Sequence, residues 1–208
     1  MAGARGCGCN RVPFIGIAIL VCAAYLGGSL PTGLWFGRWA GVDVRQSGSG
    51  NIGAANVART AGLLPGLLTL ISDITKGLLP VAVAQMLDLP LWLAAATGMA
   101  AFFGHTFSAM LRFAGGKGVA TGFGVFLGLA PSAAGCVALI FAAVALATRY
   151  VSLASMVAAT ALPLVTLGLG FAWPVCSAAV VADLVIIVRH RQNLSRLWHG
   201  VEPRLKFR

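Results

Sequence analysis

The segment from residue 45 to residue 59 contains the side chains of this sequence that are best suited to chemistry. Gly48, Gly50 and Gly53 permit tight turns, so that successive backbone N–H groups can converge on one anion. Arginines at both ends supply guanidinium groups whose fork geometry suits phosphate oxygens. We therefore expect a phosphate to bind here, with four candidate substrate-binding residues: Arg45, Asn51, Asn56 and Arg59. The alternative interpretation is a solvated linker between two apolar segments.

A second polar, glycine-rich segment spans residues 112–118, and its candidate residues are Gly115, Gly116, Lys117 and Gly118. It is not a nucleotide-binding P-loop, because Leu111 stands where the first glycine is required and no Ser or Thr follows the lysine. Residues 48–53 match the dinucleotide signature G-x-G-x-x-G, but they lie between apolar segments rather than in a βαβ unit. The three histidines lack zinc-site spacing, so we expect no metal, and the role of His199 is left open.

The composition assigns both segments to a membrane protein. Hydrophobic residues make up 59% of the 208 residues and charged residues 10%, whereas soluble domains average about 45–50% and about 25%. The 15 Lys and Arg outnumber the 5 Asp and Glu, but they lie between apolar segments, which is typical of the positive-inside rule and not of nucleic-acid binding. The cysteines show no metal-type spacing beyond Cys7-Gly-Cys9, whose role the sequence leaves open.

Seven apolar segments predict transmembrane helices, since about 20 apolar residues cross a hydrocarbon core of about 30 Å. They are residues 12–36, 60–87, 91–110, 119–130, 132–148, 151–169 and 172–188. The fourth segment is short, and its glycines four residues apart favour close helix packing. The second is interrupted by Asp73 and Lys76, which are near enough on a helix to pair. Whether residues 60–76 re-enter or cross the membrane is left open by the sequence.

One orientation collects nearly all of the cationic residues on one side. With both glycine-rich segments, Arg149 and the tail on the cytoplasmic side, all of the 15 Lys and Arg except Arg5 and Arg11 lie there. We therefore predict an all-α integral membrane protein, a seven-transmembrane-helix bundle with its N-terminus outside, its C-terminus cytoplasmic and some spans short or broken. Residues 1–208 form a single membrane-embedded domain, with a short N-terminal tail at 1–11 and a basic cytoplasmic tail at 189–208.

Seven blocks along the chain resemble, in order, those of a known family. They read GSLPTG at 28–33, GSGNIGAANVAR at 48–59, DITKGLLP at 73–80, GHTF at 104–107, FAGGKGVAT at 113–121, RYVSL at 149–153 and RHRQNLSRL at 189–197, and Gly200 and Glu202-Pro203 follow the last block. In these blocks the sequence is similar to the bacterial acyl-phosphate:glycerol-3-phosphate acyltransferases, the PlsY family. One block alone would be weak evidence, whereas seven in order are specific. Ser108 departs from the family, which often has proline there.

The resemblance implies an enzyme of the bacterial cytoplasmic (inner) membrane with its active site facing the cytoplasm. It implies acyl transfer from acyl phosphate to the 1-hydroxyl of sn-glycerol 3-phosphate, giving 1-acyl-glycerol 3-phosphate (lysophosphatidate) and phosphate, an early step of phospholipid synthesis. Neither a metal nor a cofactor is implied. The partners are the two substrates and membrane lipid, and contact with the enzyme that makes acyl phosphate is left open. The alternative is a membrane transporter of phosphorylated anions, although no repeated halves are visible.

Carried over to the matching positions, the resemblance implies a shared site made of Ser49, Arg59, Lys117, Ser152, His190 and Asn193. We expect Ser49 to orient an oxygen at the reacting centre as a catalytic residue. His190 and Asn193 are also expected to be catalytic and to contact glycerol phosphate from one helical face, if the last helix continues into the tail.

Substrate phosphate is expected to bind Lys117, Arg59 and the amides around Gly115–Gly118. Ser152 is expected to contact substrate. The signature H-x-x-x-x-D of soluble glycerolipid acyltransferases is absent, so the donor phosphate is the expected proton acceptor. The alternatives are that Arg59 and Lys117 only anchor the cytoplasmic face and that Ser152 only caps a helix.

Overall fold

The computed structural model describes residues 13–205, and within this range it contains α-helices but no β-strand. The ten helices of this range are α1 (Phe14–Gly28), α2 (Thr32–Trp39), α3 (Ala54–Ala61), α4 (Leu63–Met86), α5 (Leu91–Thr106), α6 (Val119–Leu129), α7 (Pro131–Thr148), α8 (Val151–Gly168), α9 (Trp173–Arg189) and α10 (Arg191–Trp198). A short 3-10 turn lies at Ala109–Leu111. The all-α prediction is confirmed. The predicted tail at 1–11, with Cys7 and Cys9, lies outside the described residues.

The first apolar segment is divided into two helices. The sequence predicts one helix over 12–36, whereas the structure breaks it at Pro31, between α1 and α2. Proline lacks the N–H that would continue the hydrogen-bond ladder of α1. The side chain of Lys76 donates to the carbonyl oxygen of Leu30 at 3.2 Å, which satisfies one group left open by the break.

Residues 63–76 belong to one uninterrupted helix. Gly62, with a φ of +104°, separates α3 from α4, and α4 then runs through 24 residues. At a rise of 1.5 Å per residue α4 is about 36 Å long, which is enough to cross a hydrocarbon core. Lys76 Nζ lies 2.7 Å from Asp73 Oδ1, so the predicted pairing is confirmed. The Thr32 hydroxyl donates to the same carboxylate oxygen at 2.7 Å.

The helix lengths give fewer complete spans than the seven predicted. In the part of the chain that the structure describes, four helical segments are long and apolar enough to cross a membrane: α1 with α2, α4, α7 and α8. The pair α9–α10, bent by 54°, is a fifth if it counts as one span. Helix α6 has 11 residues and is only about 16 Å long. Leu64, Leu139 and Leu164 are exposed on the outside of the bundle, as on a surface that faces lipid.

Small residues bring α4 and α6 into backbone contact. A Cβ on Gly124 would lie 2.0 Å from the carbonyl oxygen of Ile74, and one on Gly77 would lie 2.1 Å from that of Thr121. The predicted close packing is therefore confirmed at Gly124. Helix α6 also packs on α7, α7 on α8 and α8 on α9. This arrangement leaves a cavity lined by α4, α6, α7, α8 and α9.

Candidate functional site

Polar side chains from four parts of the chain line one end of this cavity, which has a volume of about 400 Å³. They come from the first glycine-rich segment with α3, from the second segment, from the start of α8, and from the α9–α10 junction with the residues after it. They are Ser49, Asn51, Asn56, Arg59, Lys117, Ser152, His190, Asn193, Arg196 and Glu202, and the buried Asp73 of α4 and His105 of α5 line the same cavity. Gly118 also lines the cavity, whereas three predicted residues do not: Arg45, Gly115 and Gly116.

Asn56 folds the first glycine-rich segment. Its side chain is buried, and its Nδ2 donates to the carbonyl oxygens of Val44, Ser47 and Asn51 at 2.8–3.1 Å. Its Oδ1 accepts the backbone N–H of Ser49 at 2.9 Å. Since a primary amide has two donor hydrogens, these bonds leave Nδ2 no free donor, and Oδ1 holds the Ser49 amide. Asn56, an expected substrate-binding residue, lines the cavity and in this structure holds Ser49 there through bonds within the segment.

The turn that Asn56 stabilises requires glycine. Gly48 and Gly50 have φ of +61° and +70°, a region that side chains disfavour. A Cβ on Gly48 would also lie 2.4 Å from Asn56 Oδ1. Arg45 is exposed, and its backbone N–H donates to the Asp43 carboxylate at 3.0 Å. The turn thus presents Ser49 to the cavity and leaves Arg45 outside it.

Arg189 fixes the second glycine-rich segment. Its Nη2 and Nε donate to the carbonyl oxygens of Gly115 at 2.6 Å and Gly116 at 3.1 Å. The Gly116 N–H donates to the His105 carbonyl at 3.0 Å, and a Cβ on Gly116 would lie 2.1 Å from His105 Nε2. The Gly116 amide is therefore committed within the protein and not to phosphate, because the segment packs on the end of α5. Arg189 was not among the predicted residues, although it opens the last matching block.

Glu202 is the second site residue that the sequence did not identify. Its Oε1 accepts hydrogen bonds from the Ser152 hydroxyl and Asn193 Nδ2, both at 2.6 Å, and its Oε2 accepts one from Arg196 Nε at 2.7 Å. The Lys117 ammonium donates to Asn193 Oδ1. One carboxylate thus orients Asn193 and, through it, Lys117. Ser152 does not cap α8, because its hydroxyl donates to Glu202 instead. Its place just after the last matching block, as a lone acidic residue in a basic tail, was the available signal.

The surroundings of Lys117 are strongly cationic. The pKa of Lys117 falls to about 8, chiefly because of burial; Glu202 acts to raise it, and the charges of Arg196, Arg59 and Arg189 lower it. Burial acts to raise the pKa of Glu202, but its hydrogen bonds and the charge of Arg196 outweigh burial and hold this pKa below its ordinary value. Glu202 is therefore ionised among several cations, and Asp73, which also lines the cavity, is paired with Lys76. The remaining excess of positive charge around Lys117 suits an anionic ligand.

The helix that carries His190 and Asn193 is bent between them. Helix α9 ends at Arg189, α10 begins at Arg191, and their axes differ by 54°. The prediction of one continuous helical face is wrong, although both side chains are buried and line the same cavity. His190 Nδ1 lies 2.8 Å from the carbonyl oxygen of Ile186. A carbonyl oxygen only accepts, so Nδ1 carries the proton and Nε2 is the ring nitrogen available to a ligand.

A second cavity of about 160 Å³ adjoins the first. Five residues line both cavities: Ser49, Asn51, Lys117, Asn193 and Arg196. Arg189 and Arg191 complete a set of four cationic side chains in the second cavity, and none of its described lining residues is acidic. The two cavities together form a cationic mouth above an apolar interior.

The residues after α10 are held against the start of α8. The Leu205 N–H donates to the Arg149 carbonyl at 2.7 Å, and Arg204 Nε donates to the Tyr150 hydroxyl at 2.8 Å. These contacts keep Glu202 at the site, so the tail predicted at 189–208 supplies α10 and a buried carboxylate. Within residues 13–205, no group of three or more His, Cys, Asp and Glu could hold a metal ion.

The sequence has many similar relatives with one description. The family model for glycerol-3-phosphate acyltransferase matches residues 18–200. The glycerol-3-phosphate acyltransferase of Geobacter metallireducens is 50% identical over 189 residues, which cover 90% of this chain and 97% of the relative. That of Geobacter sulfurreducens is 48% identical over 189 residues with the same coverage. That of Geotalea daltonii is 46% identical over 184 residues, covering 88% and 95%.

Two crystal structures of PlsY (YgiH), an integral membrane glycerol 3-phosphate acyltransferase, have the same fold. The glycerol 3-phosphate form matches with a TM-score of 0.88 at 38% identity and covers 91% of this chain and 96% of the other. The lysophosphatidic acid form matches with a TM-score of 0.85 at 38% identity, covering 91% and 95%. Sequence and fold agree over nearly the whole chain. The chain therefore belongs to the glycerol-3-phosphate acyltransferase family and is an integral membrane enzyme of the PlsY type.

Proposed function

We propose that the protein transfers an acyl group from acyl phosphate to the 1-hydroxyl of sn-glycerol 3-phosphate, giving 1-acyl-glycerol 3-phosphate and phosphate. The observation that carries the proposal is the junction of the two cavities, where a cationic pocket opens at Ser49, Lys117 and Asn193 into an apolar one. A reactant with a phosphate head and an acyl chain suits the first cavity. A small phosphorylated alcohol suits the second. The glycerol 3-phosphate and lysophosphatidic acid forms of PlsY support the same chemical classes.

Acyl phosphate requires positioning more than activation, because phosphate is a good leaving group. The hydroxyl oxygen of glycerol 3-phosphate attacks the acyl carbonyl carbon and forms the ester bond. The carbonyl carbon–oxygen bond to phosphate then breaks, and its electron pair leaves with the phosphate, which takes the hydroxyl proton. Holding the two reactants together lowers the barrier by up to about 7–11 kcal/mol. Fixed positive charge stabilises the departing phosphate.

The geometry supports a division of roles among the site residues. Lys117 and Arg59 bind the donor phosphate, and Ser49 orients an oxygen at the reacting centre. Asn193 contacts the glycerol phosphate at the junction of the two cavities, and His190 reaches it through Nε2 from the wall of the first cavity. Without substrate, the Lys117 ammonium donates a hydrogen bond to Asn193 Oδ1. When the donor phosphate binds, the ammonium donates to a phosphate oxygen instead.

We also propose that the protein crosses the bacterial inner membrane seven times, with its N-terminus outside and the site facing the cytoplasm. The crossing elements are α1 with α2, then α4, α5, α6, α7, α8 and α9, of which α5 and α6 are short. Two crossing helices separate each polar segment of the site from the next along the chain, so all of these segments lie on the same side of the membrane. This agrees with their position around one cavity. Single cysteines that replace Asp88 and Arg112, in a background without native cysteines, are expected to react with impermeant reagents from opposite sides. Labelling from the same side contradicts this topology.

The decisive experiment incubates purified protein with acyl phosphate and labelled glycerol 3-phosphate. Formation of labelled lysophosphatidate supports the proposal, and acyl-CoA in place of acyl phosphate is expected to give none. Lys117→Ala is expected to abolish product formation, whereas Arg45→Ala, which lies outside the cavity, retains most of it. If intact label instead enters proteoliposomes and no ester forms, the protein is a transporter of phosphorylated anions and the proposal is wrong.

A further inference from the structure

The apolar cavity extends a defined distance from its polar end. Its walls include residues within 118–126 of α6, 152–162 of α8 and 182–190 of α9. Helices α6 and α8 begin at the polar end, and α9 ends there. At a rise of 1.5 Å per residue, these stretches extend about 12–15 Å along the helices. Three helices thus place the inner limit of the cavity at a similar depth.

Four buried core residues line the cavity farthest from its polar end, and several small residues line the path to them. The residues of the inner end belong to the buried core and are Phe126, Val137, Leu162 and Ala182. The lining between them and the polar end combines small residues, Gly122, Ser155, Ala158 and Ala159, with Phe123 and Phe141. Phe126 is the largest side chain at the inner end and is only 1% exposed, so it cannot swing into solvent to make room.

We propose that this inner end, above all Phe126, sets the acyl-chain length that the enzyme accepts; the inference rests on the proposed function. A saturated chain advances about 1.25 Å per carbon, given bonds of about 1.5 Å and angles near 111°. A depth of about 12–15 Å therefore takes about ten to twelve carbons before the chain meets Phe126. Each further methylene of the donor that is buried in the cavity is expected to improve kcat/KM about fourfold. A methylene for which the cavity has no room does not bring this gain.

The test measures kcat/KM for a series of saturated acyl phosphates of increasing length, using the full chain in lipid nanodiscs. Phe126→Leu enlarges the inner end and is expected to raise kcat/KM for long donors relative to short ones by about fourfold per methylene admitted. Ala158→Leu narrows the path and is expected to shift the preference toward short donors by the same factor. Leu164→Ala is the matched control, because Leu164 lies on the same helix as Ala158, is 70% exposed and does not line the cavity.

A wild-type chain-length profile in both cavity variants overturns the inference. The chain would then leave the cavity sideways past Leu70, a partly exposed lining residue of α4. The proposed function survives that result, because lysophosphatidate is still formed. If the wild-type protein forms no lysophosphatidate from a donor of any length, the proposed function itself fails. Thermal unfolding verifies that each variant is folded, and if one cavity variant does not fold, the other decides.

Discussion

The charge of Lys117 provides the sharpest test of the site. With a pKa of about 8, this residue is mostly protonated at pH 7 and about one-tenth protonated at pH 9. The protonated form is the one that binds the donor phosphate. We therefore expect kcat/KM for acyl phosphate, which reports the free enzyme, to fall about tenfold per pH unit above pH 8.

Two substitutions are expected to change this alkaline decline in different ways. Lys117→Arg keeps the charge, because a guanidinium stays protonated throughout this pH range, so the decline near pH 8 disappears. The maximum falls because the contact with Asn193 is altered. Glu202→Gln removes the carboxylate that raises the pKa of Lys117, so the decline begins below pH 8. Glu202→Gln also weakens charge-assisted hydrogen bonds worth about 1.5–3 kcal/mol, or about 10- to 150-fold in kcat/KM.

The assay follows initial rates of lysophosphatidate formation at low donor concentration from about pH 6.5 to about pH 9.5. Spontaneous hydrolysis of acyl phosphate is subtracted at each pH, and circular dichroism verifies that the protein stays folded. The wild type and both variants are measured in parallel. An alkaline decline that is identical in the wild type and in Lys117→Arg shows that another group titrates, and it refutes the assignment of phosphate binding to Lys117.

Three further outcomes test how the site is supported. Gly124→Ala drives a Cβ into the backbone of α4 and is expected to lower the free energy of unfolding by about 1–3 kcal/mol. Gly135→Ala is the control, because a Cβ at Gly135 meets no atom within 4 Å, and it is expected to raise the free energy of unfolding by up to about 1 kcal/mol. Equal stability of the two variants in thermal denaturation in detergent contradicts the packing of α4 on α6. Asn56→Ala leaves the Ser49 amide without its acceptor and is expected to lower kcat/KM about 5- to 150-fold while the protein stays folded. Arg189→Lys loses the two-point contact with the second glycine-rich segment and is expected to lower kcat/KM about tenfold or more; steady-state rates equal to wild type in either variant contradict the positioning roles.

The sequence by itself determined the class of protein and most of the side chains at the site. Long apolar segments predict helices because lipid offers no hydrogen-bond partners, so each backbone must satisfy its own groups. The bounds predicted for α6, α7, α8 and α9 lie within a residue of those observed. Both glycine-rich segments were recognisable because their polar composition differs from that of apolar transmembrane helices. The predicted site residues Ser49, Lys117, Ser152, His190 and Asn193 all line one cavity.

Only the tertiary structure decided how these residues are used. Arg189 contacts Gly115 across 74 positions of the chain, and Ser152 contacts Glu202 across 50. The break at Pro31 is likewise supported from a distant part of the chain, since Lys76 donates to the freed carbonyl oxygen of Leu30. Hydrophobic periodicity records which face of a helix is apolar but not which helix it meets. The partners of a buried polar group are therefore fixed by the packing of the helices and not by the local sequence.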